Sequence, residues 1–222
     1  MGCALSSPAT VPDPATLEEK LCPAPEGGLD SIGERERGGE GQTLGPFLLS
    51  EAQKGLVRDS WKILHQDIAR VGIIVFIRLF ETHPECKDAF FLFRDVDDLQ
   101  QLKMSKDLQA HGLRVMSFIE KSVARMDQEE KLEQLTLELG RSHFWYQAPP
   151  KYYEYIGTQF IQAARPILKE EWTSEVEEAW QSLFQYLVAT MRQGFYAEER
   201  TTWANPSLHS RKADAGSAPD RA

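Results

Sequence analysis

The sequence predicts an all-α domain with polar extensions at both ends. Three observations carry this. Apolar residues recur at three-and-four spacing through the middle of the chain, helix-start signals and prolines punctuate those stretches, and no alternating apolar–polar strand pattern occurs. The domain is expected over residues 47–203, with residues 1–46 and 204–222 as disordered arms. The first 46 residues hold no aromatic side chain and set eight acids against three bases, so they cannot bury enough surface to offset ordering entropy.

About seven helical segments follow in order. Ser50 with Gln53 reads as a capping box, and Ala52, Leu56, Val57, Trp61 and Leu64 form the first apolar face. A helix from about Ile68 to Glu81 is apolar on most sides, which places it centrally; its β-branched run is too long and too unpunctuated for a strand. Thr82 and Glu85 flank Pro84 as a capping pattern for a short turn of helix. Ala89-Phe90-Phe91-Leu92-Phe93 forms an aromatic corner, and the acidic loop Asp95 to Asp98 comes next.

Between Lys103 and Tyr146 lie two amphipathic helices, each with a histidine on its apolar seam. The first carries Met104, Leu108, His111, Val115, Phe118 and Ile119; the second, opened by Asp127 with Glu130, carries Leu132, Leu135, Leu139 and His143. After Pro149-Pro150, Tyr153, Ile156, Phe160, Ile161, Ala164 and Leu168 line a further helix. Ser174 with Glu177 is read as the cap of the last, which bears Val176, Trp180, Leu183, Phe184, Leu187, Met191 and Phe195.

A histidine on an apolar seam is either a core residue with a hydrogen-bonded ring or one of a pair that holds a metal. Two facing helices could grip a metal between neutral imidazoles, most readily an iron inside a flat apolar cofactor. Structural zinc is not expected, because no Cys/His cluster lies near His111 or His143. The net charge of −9 argues against nucleic acid as a partner. Three scattered cysteines (Cys3, Cys22, Cys86) suit a reducing compartment better than a disulfide scaffold. Neither a secretory signal nor a transmembrane run of about 18 apolar residues is visible.

These residues, in this order, resemble the globin family over nearly all of residues 48–198. Trp61 sits in the first helix, Pro84 starts the short third one, and Phe90 and Phe93 follow at the corner. Ala110-His111-Gly112-Leu113-Arg114-Val115-Met116 looks like the distal helix, and Gly140-Arg141-Ser142-His143 like the end of the proximal one. The resemblance implies a three-over-three helical sandwich around haem b. It implies iron held by His143 on the proximal side and His111 on the distal side. Phe76, Phe90, Phe93, Arg114, Val115 and Leu139 would contact the cofactor, with Arg114 a candidate partner for a propionate. Within the family the chain is most similar to the six-coordinate vertebrate globins neuroglobin and cytoglobin, and above all to globin X, which has long terminal extensions. His111 is then an iron ligand, or a hydrogen-bond donor to a bound gas over five-coordinate iron. Oxygen, nitric oxide, carbon monoxide or nitrite would be taken at the iron, with an electron-donor protein for redox work. The implied roles are nitrite reduction with His111 delivering a proton, protection against reactive oxygen, or electron transfer. Reversible oxygen binding and a haem-free helical adaptor are the rivals.

Met1-Gly2-Cys3-Ala4-Leu5-Ser6 fits the pattern for N-myristoylation of Gly2, with Cys3 placed for palmitoylation. One myristoyl chain binds membrane only marginally, on the order of 10⁴ M⁻¹, so a second signal is needed. The acidic arm offers no polybasic patch, which leaves Cys3 to provide it. The expected location is the cytoplasmic face of the cell membrane, with lipid as a partner.

Overall fold

The computed structural model describes residues 49–204, except 91 and 97. The described residues hold seven α-helices and no strand: α1 (Glu51–Leu64), α2 (Ile68–Thr82), α3 (Leu99–Lys103), α4 (Lys106–Val123), α5 (Glu129–Trp145), α6 (Tyr153–Leu168) and α7 (Ser174–Ala204). Four 3₁₀ segments link them, at His65–Asp67, Pro84–Ala89, Pro150–Tyr152 and Lys169–Glu171. Helices α1, α4 and α5 form one layer and α2, α6 and α7 the other. The two largest packings, α5 on α7 and α4 on α2, cross between layers; α2 on α6 within one layer and α1 on α7 across them come next. This is the three-over-three sandwich that the sequence leads one to expect. The proposed arms at 1–46 and 204–222, including Gly2 and Cys3, lie outside the described residues apart from Ala204, the last residue of α7.

α1 begins as predicted. The Ser50 hydroxyl accepts from the Gln53 amide at 3.2 Å and the Ser50 amide donates to Gln53 Oε1 at 3.0 Å. Its buried apolar face is Val57, Trp61 and Leu64, whereas Ala52 is exposed. The indole of Trp180 on α7 is fully buried and donates to the Ser60 hydroxyl at 3.0 Å, joining the layers through a satisfied polar contact.

α2 is a helix, central as its composition implies, with Val71, Val75, Phe76, Leu79 and Phe80 buried. It crosses α4 where Gly72 meets Gly112. A Cβ built on Gly72 would stand 2.8 Å from the Gly112 carbonyl carbon, so the backbones meet only because neither residue has a side chain.

Three expected caps do not form. The Thr82 hydroxyl donates back to the Arg78 carbonyl at 2.7 Å, and the Pro84 turn starts at His83 without a side-chain cap. Asp127 does not open α5, whose N-cap is Gln128; its carboxylate instead pairs with Arg58 and, at 3.4 Å, with Lys54 of α1. The longer-range cations outcompete a local amide there. On α7 the capping hydroxyl belongs to Thr173, which accepts from the Val176 amide at 3.3 Å, while Glu177 receives the Trp172 indole N–H and pairs with Arg165.

The first histidine helix is shorter than the sequence suggests. Met104 is no part of its seam: it follows α3 in a turn and is 77% exposed. Asp98 caps α3 through the Gln100 amide, and Ser105 caps α4 through the Leu108 amide. The helix-start serine sits inside the apolar pattern and divides it.

Candidate functional site

His111 lies in the second turn of α4 and His143 in the last turn of α5, so two helices of one layer bring the pair together. Around His111, α2 supplies Phe76 and the corner supplies Phe90 and Phe93. Their ring centroids lie 4.9, 5.1 and 6.2 Å from the imidazole, all near edge-on. Phe80 joins the same cluster through Phe76, Phe90 and Phe93. Phe76 and Phe93 are almost wholly buried, at 1% and 3% exposed. Val115, one turn beyond His111, packs on this cluster and on the main core. Phe91 lies outside the described residues, and Leu92 turns outward.

This environment fixes the charge of both rings. Burial in the aromatic nest pushes the His111 imidazole down to about 3, and the charge of Arg114 pushes in the same direction. Burial also holds His143 below its ordinary value, partly opposed by its bond to the Leu139 carbonyl. Both are neutral imidazoles at physiological pH, the form that binds metals.

The two rings are held by different partners. His143 Nδ1 lies 2.8 Å from the carbonyl oxygen of Leu139, one turn earlier. A carbonyl only accepts, so Nδ1 carries the proton and Nε2 keeps its lone pair. Tyr153, at 5.3 Å and near perpendicular, walls the same ring, with Tyr146 at 6.2 Å. The Leu139 side chain packs beside Tyr153, Val188 and Met191, so Leu139 supports His143 through both carbonyl and packing. The guanidinium of Arg114 reaches His111 itself, with Nη2 3.0 Å from Nδ1.

Two features of the site escape sequence reasoning. In the sequence Tyr153 is only one member of an apolar helix face. Gly140 and Gly194 set how closely α5 approaches α7: a Cβ on Gly140 would fall 2.0 Å from the Met191 carbonyl oxygen, and one on Gly194 2.2 Å from that of Leu137. A glycine in each of two helix interiors, one of them three residues before His143, was the available signal.

The donor set fits haem iron. Among the described residues no group of three or more His, Cys, Asp or Glu could hold a metal. Two neutral imidazoles in aromatic surroundings suit an ion whose remaining ligands come from a flat apolar macrocycle.

Comparison with known proteins agrees with this chemistry. The sequence profile of the globin family, described as Globin, matches residues 74–191. Neuroglobin of Dissostichus mawsoni is 30% identical over 147 residues, covering 66% of this chain and 92% of the relative. An anaerobic nitrite reductase of Brassica napus is 26% identical over 159 residues, covering 70% and 98%. Among solved structures, a hexacoordinated heme protein from an anhydrobiotic tardigrade superposes with a TM-score of 0.63 at 22% identity, covering 68% of this chain and 97% of its own. That likeness is one of fold.

Proposed function

Because the chain belongs to the globin family and takes haem iron as its cofactor, we propose that it is a bis-histidyl, six-coordinate globin with a redox or signalling role at a membrane. Gases such as oxygen, nitric oxide and carbon monoxide bind at the iron of this family. His143 is the proximal ligand and His111 the distal one, which any incoming molecule must displace. The observation that carries this reading is the bond from His143 Nδ1 to the Leu139 carbonyl. It leaves Nε2 as the ligating nitrogen, opposite a second neutral imidazole.

Bound haem supplies a redox centre and an open coordination position once His111 has moved aside. The chain supplies the rest. Phe76, Phe90 and Phe93 exclude water and leave His111 as the polar side chain at the centre of their nest. In nitrite reduction the imidazole of His111 would hold and deliver a proton, and similarity to a protein named as a nitrite reductase supports that chemistry. Protection against reactive oxygen and electron transfer from a protein donor are the related redox roles.

The ferrous, ligand-free absorption spectrum tests the coordination. A low-spin, six-coordinate spectrum is expected, and His111→Leu should give a high-spin, five-coordinate one that binds carbon monoxide at least roughly tenfold faster. A high-spin wild type would favour reversible oxygen binding over a redox role. A chain without a haem band would overturn the haem reading and leave the lipid-anchored adaptor.

The location is a separate part of the proposal. The Gly2–Ser6 pattern with Cys3 beside it supports dual acylation, and resemblance to globin X supports it further. Gly2→Ala is expected to release the protein to the cytosol, and Cys3→Ser to leave it divided between membrane and cytosol, both with unchanged haem spectra. A Gly2→Ala protein still held at the plasma membrane in cell fractionation would point to a protein partner instead of lipid.

A further inference from the structure

The corner after α5 closes a circuit that begins and ends on His143. α5 stops in a turn where the Ala148 amide donates to the His143 carbonyl at 3.0 Å and the Gln147 amide to the Phe144 carbonyl at 3.1 Å. Such a turn needs one residue in the left-handed region, and here it is Gln147, with φ of 55°. Glycine would take that conformation without strain, so a glutamine there is held by its surroundings. Ala148 precedes Pro149, which confines it to extended backbone, and Pro150–Tyr152 forms a 3₁₀ turn. This short, stiff connection leads to Tyr153, the first residue of α6.

Tyr153 returns the path to His143. A carbonyl only accepts, so the Tyr153 hydroxyl donates to the Ala148 carbonyl, at 3.1 Å. Its ring lies 5.3 Å from the His143 imidazole, at 80° to it. The backbone of His143 is thereby tied to Ala148, Ala148 to the Tyr153 hydroxyl, and the Tyr153 ring to the His143 ring. The tyrosine has little freedom of its own. It is 7% exposed and packs with Val188 and Met191 of α7 and with Leu139 of α5. The bond from His143 Nδ1 to the Leu139 carbonyl leaves the ring a range of tilts, because hydrogen-bond directions at a carbonyl are broad. Edge contact with a second, immobile ring narrows that range.

We propose that Tyr153 is a positioning residue for the proximal ligand, setting the plane of the His143 imidazole through this circuit of one hydroxyl, one turn and one ring contact. This rests on the haem reading given above and adds a residue, outside the two histidines, that sets how the iron is held. The direction of an axial imidazole plane changes the ligand field of the iron, so the orientation can be read in a ferric spectrum.

Tyr153→Phe keeps the ring and breaks the bond to Ala148, and Tyr153→Leu removes both. Val57→Ala, fully buried in the main core on α1, is a destabilising control. The full-length chain is measured in two states. With no haem added, solvent exchange of the His143 Nδ1–H is followed by ¹⁵N–¹H correlation. Exchange should be roughly three- to tenfold faster in Tyr153→Phe, the change expected for loss of one neutral hydrogen bond, and faster still in Tyr153→Leu. Loaded with ferric haem, the wild type should give one narrow set of low-spin g values by electron paramagnetic resonance. The set should broaden in Tyr153→Phe and shift in Tyr153→Leu. Val57→Ala should lower the urea midpoint and change neither readout. Wild-type exchange and g values in Tyr153→Leu, beside a lowered urea midpoint, would overturn the proposal and leave Tyr153 a packing residue. So would a Tyr153→Phe protein identical to wild type in both readouts, because the circuit runs through the hydroxyl. Should the wild type take up no haem, the haem reading itself fails, while the exchange rates still decide whether Tyr153 holds the His143 ring.

Discussion

His143→Ala is expected to abolish stable haem retention while leaving the helical domain folded. The ring lies in the last turn of α5, its N–H on the Leu139 carbonyl and in edge-type contact with Tyr153 and Tyr146. Truncation removes a metal ligand and the ring contact with Tyr153 of α6, and opens a space the size of an imidazole, while the packing of α5 on α7 is left in place. The variant should pass through a desalting column without its haem band and keep its far-ultraviolet circular dichroism. Free imidazole should enter that space and restore much of the band, because Nε2 of the added ring can reach the same position. A His143→Ala protein with a normal six-coordinate spectrum would mean that another residue ligates the iron.

The second large effect is expected at Gly140. Its position would place an added Cβ 2.0 Å from the Met191 carbonyl oxygen, and that oxygen belongs to helical backbone that cannot rotate away. In Gly140→Ala, α5 must lift from α7, carrying His143 one turn further along. A loss of stability of about 1–3 kcal/mol is expected from such overpacking, read as a lower urea midpoint, together with faster haem loss to an acceptor globin. Gly55→Ala is the control. Nothing lies within 4 Å of the Cβ it would add, and it sits inside α1, so it should stabilise by about 0.5–1 kcal/mol through helix propensity. Equal effects at the two sites would show that the close approach of α5 and α7 is not what positions His143.

Much of the fold was legible because its signals are local. Seam spacing depends on 3.6 residues per turn, and Ser50 with Gln53 closes a capping box within four residues. The failed caps share one cause. Asp127, Thr82 and Glu177 each have the residue type that a cap requires, yet each spends its oxygen elsewhere: on Arg58 and Lys54 of α1, on the Arg78 carbonyl, and on Trp172 and Arg165. Sequence spacing shows which groups could bond, and only packing shows which competitor is nearer. Met104 failed differently, since an apolar residue in register carries no sign that Ser105 will restart the helix beside it.

What the sequence by itself determined is an all-α chain with two seam histidines, an aromatic corner and a globin register, because periodicity and residue type are properties of neighbours in the chain. The tertiary structure decided which nitrogen of His143 is bare, that Arg114 reaches His111, and that Gly140 and Gly194 let α5 and α7 touch. Those depend on distances of about 3 Å, set by how helices cross and by which rotamer the surrounding packing permits. No spacing rule encodes them, because a hydrogen bond is chosen by geometry after the helices have met.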